Sequence, residues 1–160
     1  VIVHCGTVWG RRGGSYLYAI FTTDHAYIGE TGNMPTARWG SHLGKTDSSF
    51  MEKLKKELDY HELPIYEDDI VYIGLHCKVI DDEIESKRKF ARLAIEDEIH
   101  KQFGLNINSF GSYKKLLSRP TKRSARITLN FDVESFAKYA TKVIIEEYNK
   151  YDINLVSSKK

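Results

Sequence analysis

Two tyrosines, an arginine and a histidine one helical turn apart, and one acid in an apolar helix are the side chains here best suited to chemistry. Tyr18 and Tyr27 lie in neighbouring extended segments with a short turn between them. Residues facing each other across an antiparallel pair come close enough for two phenols to converge on one atom. Arg38 and His42 are spaced i and i+4, so they share a helix face. A guanidinium there can clamp a phosphate oxygen and neutralise charge that grows in a transition state. The imidazole can hydrogen-bond water, phosphate or a phenol and carry a proton. Glu96 sits among Ala91, Leu93, Ala94, Ile95 and Ile99. A carboxylate beside such packing is costly unless it is paired or metal-bound. Each of these residues taken singly has an ordinary structural explanation, as a core aromatic, a solvated charge or a helix-face filler. The set of them together is what points to a site.

The elements that must position them follow from local patterning. Residues 16–22 alternate with aromatic and β-branched types and predict a strand, Thr23-Asp24-His25 a turn, and 26–30 a returning strand. Thr31-Gly32-Asn33 breaks it, and Pro35 suits the first turn of a helix carrying Arg38, Trp39 and His42. Ser49 and Glu52 form a capping-box pair opening a helix to about residue 60. A strand is expected over 70–79. Asp82 and Glu85 are a second capping pair, opening a long helix to about residue 103 that Gly104 ends. A short strand near 127–131, a helix capped by Asp132 to about 148 and a polar tail over 151–160 complete the chain. The expected fold is α+β: a small three-stranded antiparallel sheet flanked by helices, with a C-terminal strand-helix extension. All 160 residues read as one domain, with a core of about 14–110 and an extension over 111–150.

With 41% apolar and 29% charged residues, the balance is that of a soluble globular protein. No apolar run is long enough to span a bilayer. Cys5 and Cys77 give neither a disulfide framework nor metal-ligand spacing, so an intracellular, cytoplasmic setting is expected. The net charge of +2 does not by itself mark a nucleic-acid binder.

The patches Leu17-Tyr18-Ala19-Ile20, Tyr27-Ile28-Gly29, Arg38-Trp39-Gly40-Ser41-His42 and Ile95-Glu96, followed by Asn108, resemble in order and spacing the GIY-YIG nuclease superfamily. That superfamily includes excision-repair nuclease subunits, homing endonucleases and some restriction enzymes, and the resemblance covers roughly residues 16–109. It implies an endodeoxyribonuclease that hydrolyses phosphodiester bonds to 5′-phosphate and 3′-hydroxyl ends. Tyr18, Tyr27, Arg38, His42, Glu96 and Asn108 would be its catalytic residues. Glu96 would ligate a single Mg²⁺ or Mn²⁺, completed by waters and the phosphate, and Asn108 would brace the site. Tyr18 is the favoured proton acceptor, with Tyr16 and His42 as alternatives, and Glu98 is the rival metal ligand. The chain departs from the family pattern in lacking the leading glycine of its first motif, although Gly14-Ser15-Tyr16 offers another alignment. It carries Glu30-Thr31-Gly32 where many members have a lysine. Tyr72-Ile73-Gly74 reads as a chance repeat of the second motif.

Residues 99–131 hold no Asp or Glu but contain Lys101, Lys114, Lys115, Arg119, Lys122, Arg123 and Arg126. A stretch of one sign directly after the acid-bearing helix suits phosphate neutralisation. Arg11 and Arg12 form a second candidate arm. The expected partner is double-stranded DNA, with no membrane involved. A restriction enzyme cutting both strands would do so most simply as a homodimer. A nicking or structure-selective nuclease of repair or mobile-element type, a catalytically silent DNA-binding module and an RNA nuclease or interaction domain stay open beside the restriction-type reading.

Overall fold

The segment Tyr-Leu-Tyr-Ala-Ile-Phe has neither glycine nor proline, and it becomes a strand buried at all six positions, β2 (Tyr16–Phe21). A strand covered on both faces belongs at the middle of a sheet. It pairs antiparallel on one side with β3 (His25–Thr31) and on the other with β4 (Ile70–His76). The β2–β3 turn is closed by the Thr22 N–H donating to the His25 carbonyl at 2.9 Å and the His25 N–H donating to Thr22 Oγ1 at 3.1 Å. The structure, a computed structural model, describes residues 3–5, 13–22, 24–44, 49–58, 70–106, 114–119 and 128–157.

This antiparallel trio is the expected sheet, but it is not the whole sheet. Two short strands add parallel edges: β1 (Val3–Cys5) beside β4, and β5 (Lys115–Leu116) beside β3. The result is a mixed five-stranded sheet in the order β1-β4-β2-β3-β5. Strands this short carry no alternation to read. β5 is instead fixed by long-range bonds, Lys115 N–H to Asp24 O at 2.7 Å and Leu117 N–H to Ala26 O at 2.8 Å.

The helices are α1 (Pro35–Gly44), α2 (Ser49–Leu58), α3 (Lys78–Asp81), α4 (Glu85–Asn106) and α5 (Val133–Ser157). Several expectations need correction. The strand expected over 70–79 stops at His76, because the Asp81 carboxylate pulls the chain into α3. It accepts the Ser15 N–H at 2.8 Å and pairs with His76 Nε2 at 2.6 Å. The Asp82–Glu85 cap does not open α4; the Asp82 N–H instead closes α3 on the Lys78 carbonyl at 2.9 Å. Nor does Gly104 stop α4, which runs on to Asn106. Only Gly13 among the described glycines takes positive φ, so the helix at Gly104 bears only the modest propensity cost of glycine.

The strand expected near 127–131 is also absent from its described residues, 128–131, which form irregular chain and a bend. There the Glu83 carboxylate takes both the backbone and side-chain N–H groups of Asn130, leaving no ladder to form. Asp132 does cap α5, accepting the Ser135 N–H at 2.7 Å. The helix then continues through 151–157, where a tail was expected.

The two sheet faces differ in purpose. Leu17, Ala19 and Phe21 project towards α4 and α5, where Ile95, Ile99, Phe103, Ala140 and Ile144 complete the main core. Phe21 is fully buried between Phe103 and Tyr148, worth roughly 1.5–3 kcal/mol of burial. Tyr18 and Ile20 project the other way, towards Trp39 of α1 and Phe50 and Leu54 of α2. The second face holds Tyr18, Tyr27 and His42.

Candidate active site

The β2–β3 register sets the two tyrosines. Tyr18 is opposite Gly29 and Ile20 is opposite Tyr27, so the phenols are diagonal neighbours on one face. Their rings stack at 6.4 Å between centroids and 21° between planes. The glycine opposite Tyr18 is a matter of space. A Cβ on Gly29 would lie 2.4 Å from both Cζ and Oη of Tyr18. Tyr18 therefore lies across a bare backbone. On β4 its partner is Gly74, so Tyr72-Ile73-Gly74 puts glycine on its other flank as well. Tyr72 is itself fully buried, 5.2 Å from the Trp39 ring.

β3 gives way to α1 through Thr31-Gly32-Asn33, with the Asn33 N–H held by Thr31 Oγ1 at 3.2 Å and Pro35 opening the helix. This brings His42 over the tyrosines. Its Nε2 lies 3.1 Å from Tyr18 Oη, and its ring is 5.3 Å from Tyr27 and 6.0 Å from Phe50. Burial, reinforced by the positive charge of Arg38, pushes the His42 pKa down to about 4. The ring is neutral at pH 7. Burial raises the Tyr18 phenol well above its usual range; Tyr27, Glu96 and Glu30 raise it further and outweigh Arg38. Tyr27 shifts the same way, through burial and then Glu96. Arg38 does not ionise Tyr18, which remains a neutral phenol. With the His42 proton on Nδ1, its hydroxyl donates to Nε2.

Glu96 enters from α4. It is 8% exposed, and among the described residues no cation pairs with its carboxylate and no donor hydrogen-bonds it. Burial, then the like charges of Glu30 and Asp97, raise its pKa to about 7 against the opposing charge of Lys53. A short relay sets this turn of α4 against the sheet. The Ile28 N–H donates to Ser118 Oγ at 2.8 Å, and the Ser118 hydroxyl lies 2.8 Å from His100 Nε2. His100 Nδ1 lies 2.6 Å from the Glu96 carbonyl. A carbonyl only accepts, so Nδ1 carries the proton and Nε2 accepts from Ser118. Burial also holds His100 below its ordinary pKa, in keeping with that neutral ring.

The charges of Arg38 and Glu96 thus both bear on Tyr18 and Tyr27, and that of Arg38 also on His42. No protein family, curated protein or solved structure matches this chain. Asn108, Arg11, Arg12, Lys122, Arg123 and Arg126 lie outside the described residues. Tyr16 does not join the cluster; it is fully buried with its ring 5.1 Å from His76. Glu98 turns away, holding Lys101 at 2.9 Å and Gln102 at 3.4 Å.

Of the candidate phosphate contacts, Lys114 is corrected outright. It is 1% exposed, its Nζ donates to the Thr22 carbonyl at 2.8 Å and lies 5.0 Å from the Tyr148 ring, so it holds the interior together. Lys101 is exposed, but Asp97 at 3.3 Å and Glu98 at 2.9 Å neutralise it. Lys115 and Arg119 remain at the surface.

Sequence reasoning missed Lys53. From α2 its Nζ stands 5.4 Å above the Tyr27 ring, and its charge bears on Glu96. Nothing local distinguishes it from the other lysines of α2; only the fold brings it here.

The donor set can be tested against a metal. Among the described residues no three His, Cys, Asp or Glu groups gather as a metal site, which is unlike a structural zinc centre. One buried carboxylate without a partner among the described residues does suit Mg²⁺ or Mn²⁺, which keep several waters and share a substrate phosphate.

Proposed function

We propose that this chain is a metal-dependent DNA endonuclease of the GIY-YIG kind, hydrolysing phosphodiester bonds to 5′-phosphate and 3′-hydroxyl ends. The observation that carries this reading is Glu96, a buried carboxylate without a partner among the described residues, whose charge bears on Tyr18 and Tyr27 while Tyr18 is hydrogen-bonded to His42. Arg38 would hold a non-bridging oxygen of the scissile phosphate and offset its charge. Tyr27 would orient the attacking water. Tyr18, a neutral phenol, would take the water's proton while passing its own to His42 Nε2. The arriving phosphodiester is negative and favours a protonated imidazole, raising the basicity of His42 when it is needed. Glu96 would hold Mg²⁺ or Mn²⁺, which supplies polarisation of the phosphate and stabilisation of the leaving oxygen.

Supercoiled plasmid incubated with the protein and Mg²⁺, beside a Glu96→Ala variant, tests the reading. Cleavage by the wild type and none by the variant is the expected result. Discrete linear fragments would assign a restriction-type enzyme acting on both strands, and open circles alone a nicking enzyme. Absence of cleavage with several divalent ions and DNA forms refutes it and leaves a DNA-binding module.

A further inference from the structure

A cleft of about 460 Å³ opens between α2 and β5, lined by Lys53, Lys56, Lys115, Leu116, Leu117 and Arg119. Its four cations come from two parts of the chain far apart in sequence, so folding and not a local charge run assembles them. Lys53 and Lys56 are i and i+3 on one helix face. Lys115 and Arg119 approach from β5 and the residues just after it. Among the described residues no acidic side chain lines the cleft. Like charges gathered in a concave surface repel and focus a positive potential, which an anion relieves.

We infer that this cleft seats the phosphodiester backbone of a DNA duplex and leads the strand to the Tyr27 side of the candidate active site. The choice of DNA rests on the nuclease reading above; the charge and shape of the cleft do not. Lys53 joins the two regions, since it lines the cleft and also stands over Tyr27 with its charge felt by Glu96. Among the described residues the remaining lining is two leucines, with no aromatic ring to stack a base and no side-chain amide to read one. Contacts of this kind position a strand without specifying its sequence. The cleft therefore contributes affinity and register, and base recognition lies elsewhere.

The test uses the full chain carrying Glu96→Gln, so that DNA stays intact, and a fluorescent 20-base-pair duplex titrated over a salt series. Each phosphate contact contributes about 0.9 to the slope of log affinity against log salt for duplex DNA. Adding Lys56→Ala and Arg119→Ala together should lower that slope by nearly two. The drop should be equal for a scrambled duplex, and the unfolding midpoint should not move. In the chain with Glu96 restored, the same pair should raise KM while kcat holds. Lys56→Glu guards against a contact too weak to register when merely neutralised, and it should weaken binding further. An unchanged slope with normal folding overturns the inference, and so does a drop confined to one sequence. Binding that loses its salt slope in the variants, from a wild type that cuts nothing, would keep the cleft and reject the nuclease. Cleavage that is indifferent to both variants would do the reverse.

Discussion

Replacing Gly29 by alanine is the most direct probe of the tyrosine cluster. The added Cβ would sit 2.4 Å from Cζ and Oη of Tyr18, whereas carbon contacts relax only near 3.5 Å. Either the ring moves by about 1 Å or the β2–β3 pair opens. Overpacking of this kind costs roughly 1–3 kcal/mol. Alanine in place of glycine also lowers the entropy of the unfolded chain, which returns about 0.4–1 kcal/mol. A net loss remains. Tyr18 Oη is 3.1 Å from His42 Nε2, and a displacement of about 1 Å takes the pair out of hydrogen-bond range. Misplacing a reacting group by that much costs on the order of 100-fold in rate. Urea unfolding and plasmid cleavage measured on one preparation would therefore show a modest fall in stability and a far larger fall in activity. Adding Tyr18→Ala removes the obstruction, so Gly29→Ala should cost much less in that background, and the double-mutant cycle reports the coupling. A Gly29→Ala protein as stable as the wild type, or one that cuts as fast, would refute the reasoning.

Two other variants read the structure through stability. The His42 pKa is pushed down to about 4 from an ordinary 6.5, so the unfolded chain binds its proton more readily than the folded one. Its contribution is fully present above pH 6.5 and is lost as the pH falls through 4, to at most about 3 kcal/mol. Urea midpoints measured from pH 7 to 4 should fall less steeply for His42→Gln, and parallel curves would contradict this. Lys114→Ala removes an interior side chain whose Nζ bonds the Thr22 carbonyl. It should cost about 2–4 kcal/mol in chemical unfolding while leaving the salt slope of DNA binding unchanged; a fall in slope would return Lys114 to the surface.

The parts of this fold legible in sequence are those where one local rule suffices. The hairpin, the start of α1 at Pro35 and the cap at Asp132 follow from alternation, proline geometry and a side-chain oxygen. Where distant residues compete, local rules fail. Asp82 and Glu85 have the spacing of a helix cap, but Asp82 ends α3 instead. Asn130 sits where a strand was expected, yet its N–H groups go to Glu83. β5 depends on carbonyls contributed by Asp24 and Ala26. The site divides in the same way. Strand parity relates Tyr18 to Tyr27 and helix spacing relates Arg38 to His42, both of which are periodic, whereas Glu96 stands out in sequence only by its apolar neighbours. Lys53 is placed by tertiary packing alone, and Lys114 is withdrawn by it, because exposure is not a property of a basic run.

The absent lysine after Tyr27-Ile28-Gly29 then has a geometric answer. Residue 30 pairs with Leu17, so its side chain belongs to the face opposite Tyr18 and Tyr27. Glu30 there meets Arg92 of α4 at 2.6 Å, with both side chains largely buried. A cation at that position would face Arg92 and repel it, whereas the acid ties β3 to the helix that carries Glu96. Positive charge for the phenol face has to come from elsewhere, and α2 lies over that face. Lys53 and Arg38 thus reach the cluster from two different helices, one bearing on Tyr27 and Glu96 and the other on both tyrosines and His42. Lys53 also lines the α2 cleft, whereas Arg38 does not. The two cations can therefore be separated by mutation, and under the proposed reading Lys53 would serve binding and Arg38 the reacting phosphate.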